Sequence, residues 1–587
     1  MPALKLLAIA ASGAFLCAAA EVAIYPPELR PDPFGGVVAA DGPARIQTRF
    51  AGARAGYISF HVVVKSAAPS DYRLDVHVPP PLQVDAFREW YHFTEADHEY
   101  YPDALIPVHL PYASTIPEPD NRIPQQTAQA FWVDVWIPAG ASPGHVKGQI
   151  SVRAAGAQAA TAPFEIEVLD ARVPDNDVVT IDHNSYGTSW LADMYPRKMA
   201  AGGEGPLFDL IHAYHRIFYE HRGIYHQLGY GHGGKVGPEF APRLQGSGRT
   251  KHIVHWTLYD RHYGPLLDGS AFADTRRGAK PIPFVYLPIN PEWPAAYLWW
   301  GEPGYETEFV NVLREMELHF REKGWTNTRL EVFFNHKKRY MGFDWDGDEV
   351  RFPDDNAYFL EYGRMLKEAL PESTPVKFVM RADVSWDMDQ QFRELNGIVR
   401  LWCASGGIFS WYPDAPKTLR GRGDIVWFYG GPPSVTLPSG AITRFPFQAW
   451  LWGVNGFVHW QTVEPGKDPW FHFEGGETAL VYPGGRFGME GPIPSIRLKL
   501  ERNAVQDIDV IDMLRASRRD AAQRYNGSMP EDWWNPKPEL TNRPPSTWLG
   551  SELDPTTAKT DAMFHKIDAQ AGERLHAFAI ELAREAK

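Results

Sequence analysis

The chain of 587 residues carries a formal net charge of −14, and hydrophobic residues make up 44% of it. This acidity, with no run of Lys or Arg to offset it, excludes the basic surface that a nucleic-acid-binding protein needs. The length exceeds what a single core usually supports, so the sequence predicts at least two domains.

The N-terminus has the pattern of a secretory signal peptide. Residues 1–20 contain one Lys, an apolar run and small residues before Glu21, which predicts cleavage near Ala20. We therefore expect a secreted or periplasmic bacterial protein, with no later segment apolar enough for a membrane span. Cleavage removes Cys17 and leaves Cys403 alone, so no intrachain disulfide is expected.

Residues 21–175 read as a β-sandwich domain. Short runs of alternating apolar and polar residues are separated by Pro and Gly turns, for example at 57–66 and 130–140. Period-2 alternation between turn signals is typical of antiparallel sandwich strands. The aromatic and charged stretch 88–108 interrupts this rhythm and is interpreted as a long loop.

Residues 176–518 read as a (β/α)₈ TIM-type barrel. Eight apolar strand candidates lie at 178–187, 223–231, 284–290, 329–335, 376–383, 397–405, 424–431 and 456–464. Amphipathic helices separate several of them, notably 306–324 and 355–371, the latter with Asp354 and Asp355 as N-terminal caps. A doubly wound open sheet is the alternative, but no Gly-rich phosphate turn supports it. Residues 519–587 form a connector and a C-terminal helix.

In such a barrel the functional side chains gather where the strands end. The residues at these ends are mostly amides, aromatics and carboxylates, which suit a carbohydrate substrate because hydroxyls take polar partners and sugar faces stack on rings. They are Asn184, Tyr186, Gln227, Tyr230, His232, Asn290, Glu292, Asn335, His336, Lys337, Arg381, Asp383, Trp402, Tyr429, Trp460, Gln461 and Glu464. Of these, we predict Trp402, Tyr429 and Trp460 as the sugar platform.

An acidic loop follows the fourth strand candidate and contains Asp344, Asp346, Asp348 and Glu349. A catalytic interpretation makes Asp348 and Glu349 an acid pair aimed back over the barrel mouth, with Asp383 as a further carboxylate. A solvated loop and a calcium loop are the alternatives, although Glu349 stands where the calcium pattern requires Gly. His252 and His255 match no zinc spacing, and no metal or cofactor is predicted.

Three parts of the sequence resemble glycoside hydrolase family 123. They are the run at 131–152, the predicted barrel, and above all the block from Gly475 to Leu514, and the resemblance covers about residues 40 to 516. It implies a β-sandwich joined to a catalytic barrel. It also implies retaining cleavage of 2-acetamido sugars, in which an Asp-Glu pair after the fourth strand assists attack by the substrate's own acetamido group.

This sequence departs from the family at that pair, because Asn335 and His336 occupy its place. The first hypothesis is therefore an exported glycoside hydrolase that uses Asp348, Glu349 and Asp383. The second is a glycan-binding protein without activity. The third is a polysaccharide lyase that uses His336 or Lys337, the same two residues that are candidates for holding a substrate carboxylate.

Overall fold

The computed structural model describes residues 20–154, 159–229, 231, 236–295, 300–338, 343–350, 352–384, 388–405, 415–473, 478–526 and 570–586. Together these residues form a β-sandwich, a parallel barrel and a C-terminal helix, as the sequence predicts. Among them, no helix is both long enough and apolar enough to cross a membrane.

The N-terminal unit is a sandwich of two five-stranded sheets. One sheet has the order β1-β3-β8-β5-β6 and the other β2-β10-β9-β4-β7. The strands are β1 Glu21–Tyr25, β2 Arg49–Arg54, β3 Gly56–Lys65, β4 Ser70–His77, β5 Gln83–Thr94, β6 Glu99–Val108, β7 Tyr112–Ile116, β8 Ala128–Ile137, β9 Gly144–Ala154 and β10 Ala160–Arg172. Apolar residues that alternate along these strands fill the space between the sheets.

The prediction of a long loop at 88–108 is wrong, because this stretch forms most of the β5–β6 hairpin. The stretch lacks the alternation of apolar and polar residues that predicts a strand, because several of its polar residues are buried with partners. Arg88 pairs with Glu118 at 2.6 Å, and Glu89 accepts from His61 at 2.7 Å. Trp90 packs edge-on against Trp470, which follows the barrel.

The eight predicted barrel strands are all present and all parallel. They are β11 Thr180–Tyr186, β12 Ile224–Leu228, β15 Phe284–Tyr286, β16 Arg329–Val332, β17 Lys377–Val384, β18 Leu401–Ser405, β19 Ile425–Gly430 and β20 Gly456–His459. The order is β12-β11-β20-β19-β18-β17-β16-β15, and the edge strands β12 and β15 lie in contact, so the barrel is nearly closed. Two small hairpins, β13 Arg243–Gln245 with β14 His252–His255 and β21 Val481–Pro483 with β22 Pro492–Pro494, decorate it.

The helices surround the barrel and connect it to the sandwich. They are α1 Trp190–Met194, α2 Pro196–Ala200, α3 Glu204–Glu220, α4 Thr257–Leu267, α5 Tyr305–Glu322, α6 Asn356–Ala369, α7 Met388–Glu394, α8 Ala415–Gly421, α9 Arg444–Trp452, α10 Ile496–Met513, α11 Arg518–Asn526 and α12 Ala571–Glu585. The predicted Asp caps of α6 are absent, since neither aspartate side chain caps it. Asp355 pairs with Lys338 at 3.1 Å instead.

Helix α10 joins the sandwich to the barrel through buried ion pairs. Asp134 of β8 accepts hydrogen bonds from Lys499 at 2.7 Å and Arg502 at 2.8 Å. Arg497 donates to Asp103 of β6 at 2.7 Å. Every one of these side chains is nearly excluded from solvent. Because burial of unpaired charge is very costly, this helix specifies how the two domains meet.

Candidate active site

The acidic loop 343–350 folds back over the mouth of the barrel. The backbone N–H groups of Gly347 and Asp348 donate to the His336 carbonyl at 3.0 and 3.2 Å. The N–H of Val350 donates to the Asp383 carbonyl of β17 at 2.8 Å. The loop is therefore pinned between the ends of β16 and β17, and Asp348 is brought beside Asp383.

Gly347 is the residue that allows this close approach. A Cβ at this position would meet the Phe334 carbonyl oxygen and lie 2.6 Å from Phe334 Cβ. Gly347→Ala is expected to destabilise the protein by about 1–3 kcal/mol, because an overpacked site must shift backbone. Urea unfolding measures the loss, and Gly140→Ala is the control because nothing lies within 4 Å of its Cβ. Equal stability of the two variants would show that the loop does not depend on this contact.

Asp383 is held by a bidentate ion pair with Arg381. Arg381 Nε donates to Asp383 Oδ1 at 2.6 Å, and its second terminal nitrogen donates to Oδ2 at 2.9 Å. Burial raises the pKa of Asp383 to about 6, and the charge of Asp348 adds to this rise while Arg381 opposes it. A carboxyl group with such a pKa holds its proton in mildly acidic solution, as a general acid requires.

Asp348 and Glu349 share one ammonium group. Lys337 Nζ lies 3.2 Å from Asp348 Oδ2 and 2.5 Å from Glu349 Oε2. Burial disfavours the charged form of Lys337, but the two carboxylates outweigh it and raise its pKa. Asp348 is nearly buried, whereas the Glu349 side chain is 31% exposed and its backbone is left-handed at φ 51°. The mouth thus holds one carboxylate that is charge-balanced by Lys337 and another whose pKa burial raises to about 6.

A buried polar network beneath the mouth positions Arg381. Its guanidinium donates to Glu331 at 3.2 Å and to the Tyr286 hydroxyl at 2.7 Å. His226 lies 2.6 Å from Asp182 and 3.3 Å from Glu331, and stacks on Tyr286 with ring centroids 3.6 Å apart. The sequence analysis missed Asp182, His226 and Glu331. One signal in the sequence could have found them. Strands of a parallel barrel are buried on both faces, so a charged residue inside such a strand is buried and needs a partner.

Aromatic and amide groups border the same mouth. Tyr186 meets Trp460 edge-on with ring centroids 5.1 Å apart, and the Trp460 side chain is substantially exposed. Gln461 is exposed, and its backbone N–H donates to Asn184 Oδ1 at 3.2 Å. Tyr429 is half-buried at the end of β19. Burial raises the pKa of Tyr186 well above its usual range, and the charges of Asp348 and Asp383 add to the rise. Tyr186 therefore links the aromatic rim to the carboxylates.

The structure contradicts several predicted contacts with substrate. Trp402 is fully buried, packs edge-on against Phe392 and donates to Asp424 at 3.3 Å, so it is no sugar platform. Strand alternation turns it toward the helices and away from the barrel interior. Asn335 and His336 are also fully buried.

The remaining predicted binding residues have internal roles. Burial lowers the pKa of His336 to about 3, so its ring is neutral and excluded from solvent. Arg381 and Lys337 are paired with the carboxylates described above, which balances their charges inside the protein. Tyr230 and His232 lie outside the described residues.

The calcium interpretation of the acidic loop gains no support from its contacts. Asp346 Oδ1 accepts the Lys338 backbone N–H at 2.8 Å, Asp348 faces Lys337, and Asp344 is exposed. Asp344, Asp346 and Asp348 thus lie in separate surroundings, and Asp348 and Glu349 are both satisfied by Lys337. Within the described ranges, no three His, Cys, Asp or Glu side chains converge as a metal site would require.

The comparisons with known proteins bear on this architecture. No family model matches the chain, and no curated protein sequence matches it. A solved structure of a family 123 glycoside hydrolase from Clostridium perfringens, described for glycolipid glycan hydrolysis, covers 97% of this chain and 100% of its own at 13% identity, with a TM-score of 0.63. The chain has the fold of a family 123 glycoside hydrolase.

Two further glycoside hydrolase structures have a TM-score of only 0.31, which is too low to bear on the fold. One is a Clostridium thermocellum xylanase at 9% identity, covering 76% of this chain and 88% of its own. The other is a Bacteroides ovatus xyloglucanase at 7% identity, covering 78% of this chain and 98% of its own. The family 123 resemblance inferred from the sequence is therefore confirmed at the level of fold, while Asn335 and His336 stand buried where that resemblance implies an acid pair.

Proposed function

We propose that this protein is an exported glycoside hydrolase that cleaves a glycan at the barrel mouth, with Asp383 as proton donor and Asp348 as the ionised carboxylate. One observation carries the proposal. Two carboxylates from neighbouring strand ends interact electrostatically while their surroundings differ, since Asp348 faces Lys337 and burial raises the pKa of Asp383 to about 6. Such a divergence is the pattern by which one site supplies both an acid and a charge.

The proposed chemistry balances with water alone. Asp383 gives its proton to the glycosidic oxygen as the bond from that oxygen to the anomeric carbon breaks. Asp348, which faces Lys337, stabilises the positive charge that develops on the sugar. Water then adds its hydroxyl to the anomeric carbon, and its remaining proton returns to Asp383. Trp460 and Tyr186 offer ring faces and edges to the sugar. Glu349 positions Lys337 by sharing its ammonium group.

The substrate class is supported less directly. The family resemblance favours 2-acetamido sugars, but the buried Asn335 and His336 argue against carrying over the family's own acid pair. Export is supported by the signal-like residues 1–20. The lyase alternative is weakened because His336 is buried and neutral and Lys337 is held by two carboxylates.

The test is hydrolysis by purified residues 21–587 of a panel of aryl glycosides, 2-acetamido glycosides among them, together with glycolipid and polysaccharide glycans. Release of reducing sugar from at least one member is expected. A second candidate function, glycan binding without turnover, is favoured by the loss of the family's acid pair. Binding of a glycan that no condition hydrolyses would favour that candidate and overturn the first.

The pH dependence follows from Asp383. Its carboxyl is protonated below about pH 6 and ionised above it, so the acid form is lost as the pH rises through its pKa. We expect kcat/KM to fall above about pH 6, approaching tenfold per pH unit. Initial rates between pH 4 and 8 measure the profile, with circular dichroism at each pH as the control for folding. A profile that is flat from pH 6 to 8 would exclude Asp383 as the acid.

A further inference from the structure

A large cleft lies on the rim of the barrel beside the mouth. Its volume is about 730 Å³, within the range of small-molecule sites, and neither the catalytic proposal nor the comparisons assign it a role. Its walls are residues 236–238 and 241–246, which follow β12, Lys251 and His255, the start of α4, and Trp293, which follows β15. Segments that follow parallel strands lie on the catalytic face of a barrel.

The cleft is connected to the mouth by hydrogen bonds. Thr188, just after β11, donates to Glu239 Oε1 at 3.0 Å, and the N–H of Gly237 donates to the Gly229 carbonyl at 3.1 Å. Its wall is thereby fixed to the ends of β11 and β12. A glycan chain that extends from the mouth can continue into the cleft.

An exposed arginine, Arg243, lies in the cleft of a protein that is acidic as a whole. Arg243, Lys251 and His255 line the cleft, and the described lining contains no Asp or Glu. Lys251 is buried and paired with Glu308 at 3.3 Å. Arg243 and His255 are exposed and make no ion pair within the described part of the chain. Arg243 therefore leaves one positive charge without an ion pair in the described lining of a chain whose net charge is −14.

Apolar side chains complete the lining. Trp293, Leu244 and Leu258 contribute to it. An apolar wall beside charged donors suits a sugar ring that carries an anionic group, since the ring packs on the wall while the anion meets the cations. An anionic unit at the rim therefore has both a ring face, Trp293, and an exposed guanidinium group, Arg243, to contact.

We infer that this rim cleft binds a negatively charged sugar unit, a uronate or a sulfated sugar, of the glycan whose neighbouring linkage is cleaved at the mouth. The inference rests on the proposed function for its link to cleavage, but the binding itself is independent of turnover. Arg243 makes the principal contact with the anion.

Calorimetric titration tests the inference with three probes of matched length: an oligogalacturonate, a chondroitin sulfate oligosaccharide and a neutral xylo-oligosaccharide. All titrations use Asp383→Asn, so that hydrolysis does not interfere, with or without Arg243→Ala. Arg249→Ala is the matched control, because Arg249 is an exposed arginine on the same hairpin that does not line the cleft. Binding of the oligogalacturonate would show that a carboxylate suffices, whereas binding of the chondroitin sulfate alone, which carries both uronate and sulfate, would show that sulfate is required.

We expect at least one anionic probe to bind more tightly than the neutral probe, with affinity that falls as salt rises. Arg243→Ala is expected to weaken this binding about tenfold, the size of one charge-assisted hydrogen bond. Arg249→Ala should leave it unchanged. Equal binding by the Arg243→Ala protein, equal loss in Arg249→Ala, or a preference for the neutral probe would each overturn the inference.

The two proposals fail separately. Anion binding that depends on Arg243 in a chain that hydrolyses nothing would retain the cleft and reject the glycosidase. Hydrolysis without anion binding that depends on Arg243 would retain the glycosidase and reject the cleft as an anion site.

Discussion

Asp383→Asn is expected to lower kcat/KM for a natural glycan by about 10²- to 10⁴-fold, the range that a general acid contributes. The amide has nearly the same shape and still accepts from Arg381, but it has no proton to give. Asp383 is the carboxyl group at the mouth that burial and Asp348 leave protonated until about pH 6.

The leaving group separates this role from a structural one. The dinitrophenolate leaving group of a dinitrophenyl glycoside needs no proton to depart. The variant should therefore cleave this substrate at nearly the wild-type rate. An equal loss on dinitrophenyl and unactivated substrates would mean that Asp383 only maintains the mouth. Urea unfolding of the variant serves as the control, because Arg381 is buried and loses one of its three carboxylate partners.

Asp134→Ala is expected to destabilise the protein by about 3–5 kcal/mol, the cost of breaking a buried ion pair. Burial opposes the ionisation of Asp134, but Arg502 and Lys499 outweigh it and hold its pKa well below the usual range. Removing the carboxylate leaves two buried cations without their counter-charge. The free energy of unfolding in urea at neutral pH measures the effect.

Two comparisons control this experiment. Glu361→Ala removes an exposed partner of Arg364 and should cost less than about 1 kcal/mol. A triple variant in which Leu or Met replaces each of Asp134, Lys499 and Arg502 should recover much of the lost stability, because no unpaired charge remains. If Asp134→Ala costs no more than Glu361→Ala, the buried ion pairs do not hold the two domains together.

The barrel could be predicted from the sequence because its strands are buried on both faces and read as short apolar runs. All eight candidates correspond to strands, and the amphipathic helix predicted at 306–324 is α5, which buries one apolar face: Phe309, Val312, Leu313, Met316 and Phe320. The β5–β6 hairpin was missed because Arg88, Glu89 and Asp103 are buried with partners far along the chain. Such pairings between distant segments leave no local pattern.

The candidate site was predictable in part, because several of its residues follow the predicted barrel strands. Asp348 and Asp383 were singled out because they follow consecutive strands, and in the structure the charge of Asp348 acts on Asp383. The inward or outward direction of a side chain is not visible in a run that is apolar on both faces, so Trp402 was misassigned. The burial of Asn335 and His336 was not predictable because it depends on the loop that covers them. The rings of Phe343 and Trp345 pack on the His336 ring, with centroids 4.5 and 4.3 Å away.

The most direct test of the central claim is the rate of reducing-sugar release by three proteins: residues 21–587, the same chain with Asp348→Asn, and the same chain with Asp346→Asn. Asp346 lies on the same loop but accepts the Lys338 backbone N–H instead of facing the mouth. The account predicts hydrolysis by the first and third proteins and its loss in the second. Undiminished hydrolysis by Asp348→Asn, or equal loss in both variants, would contradict it.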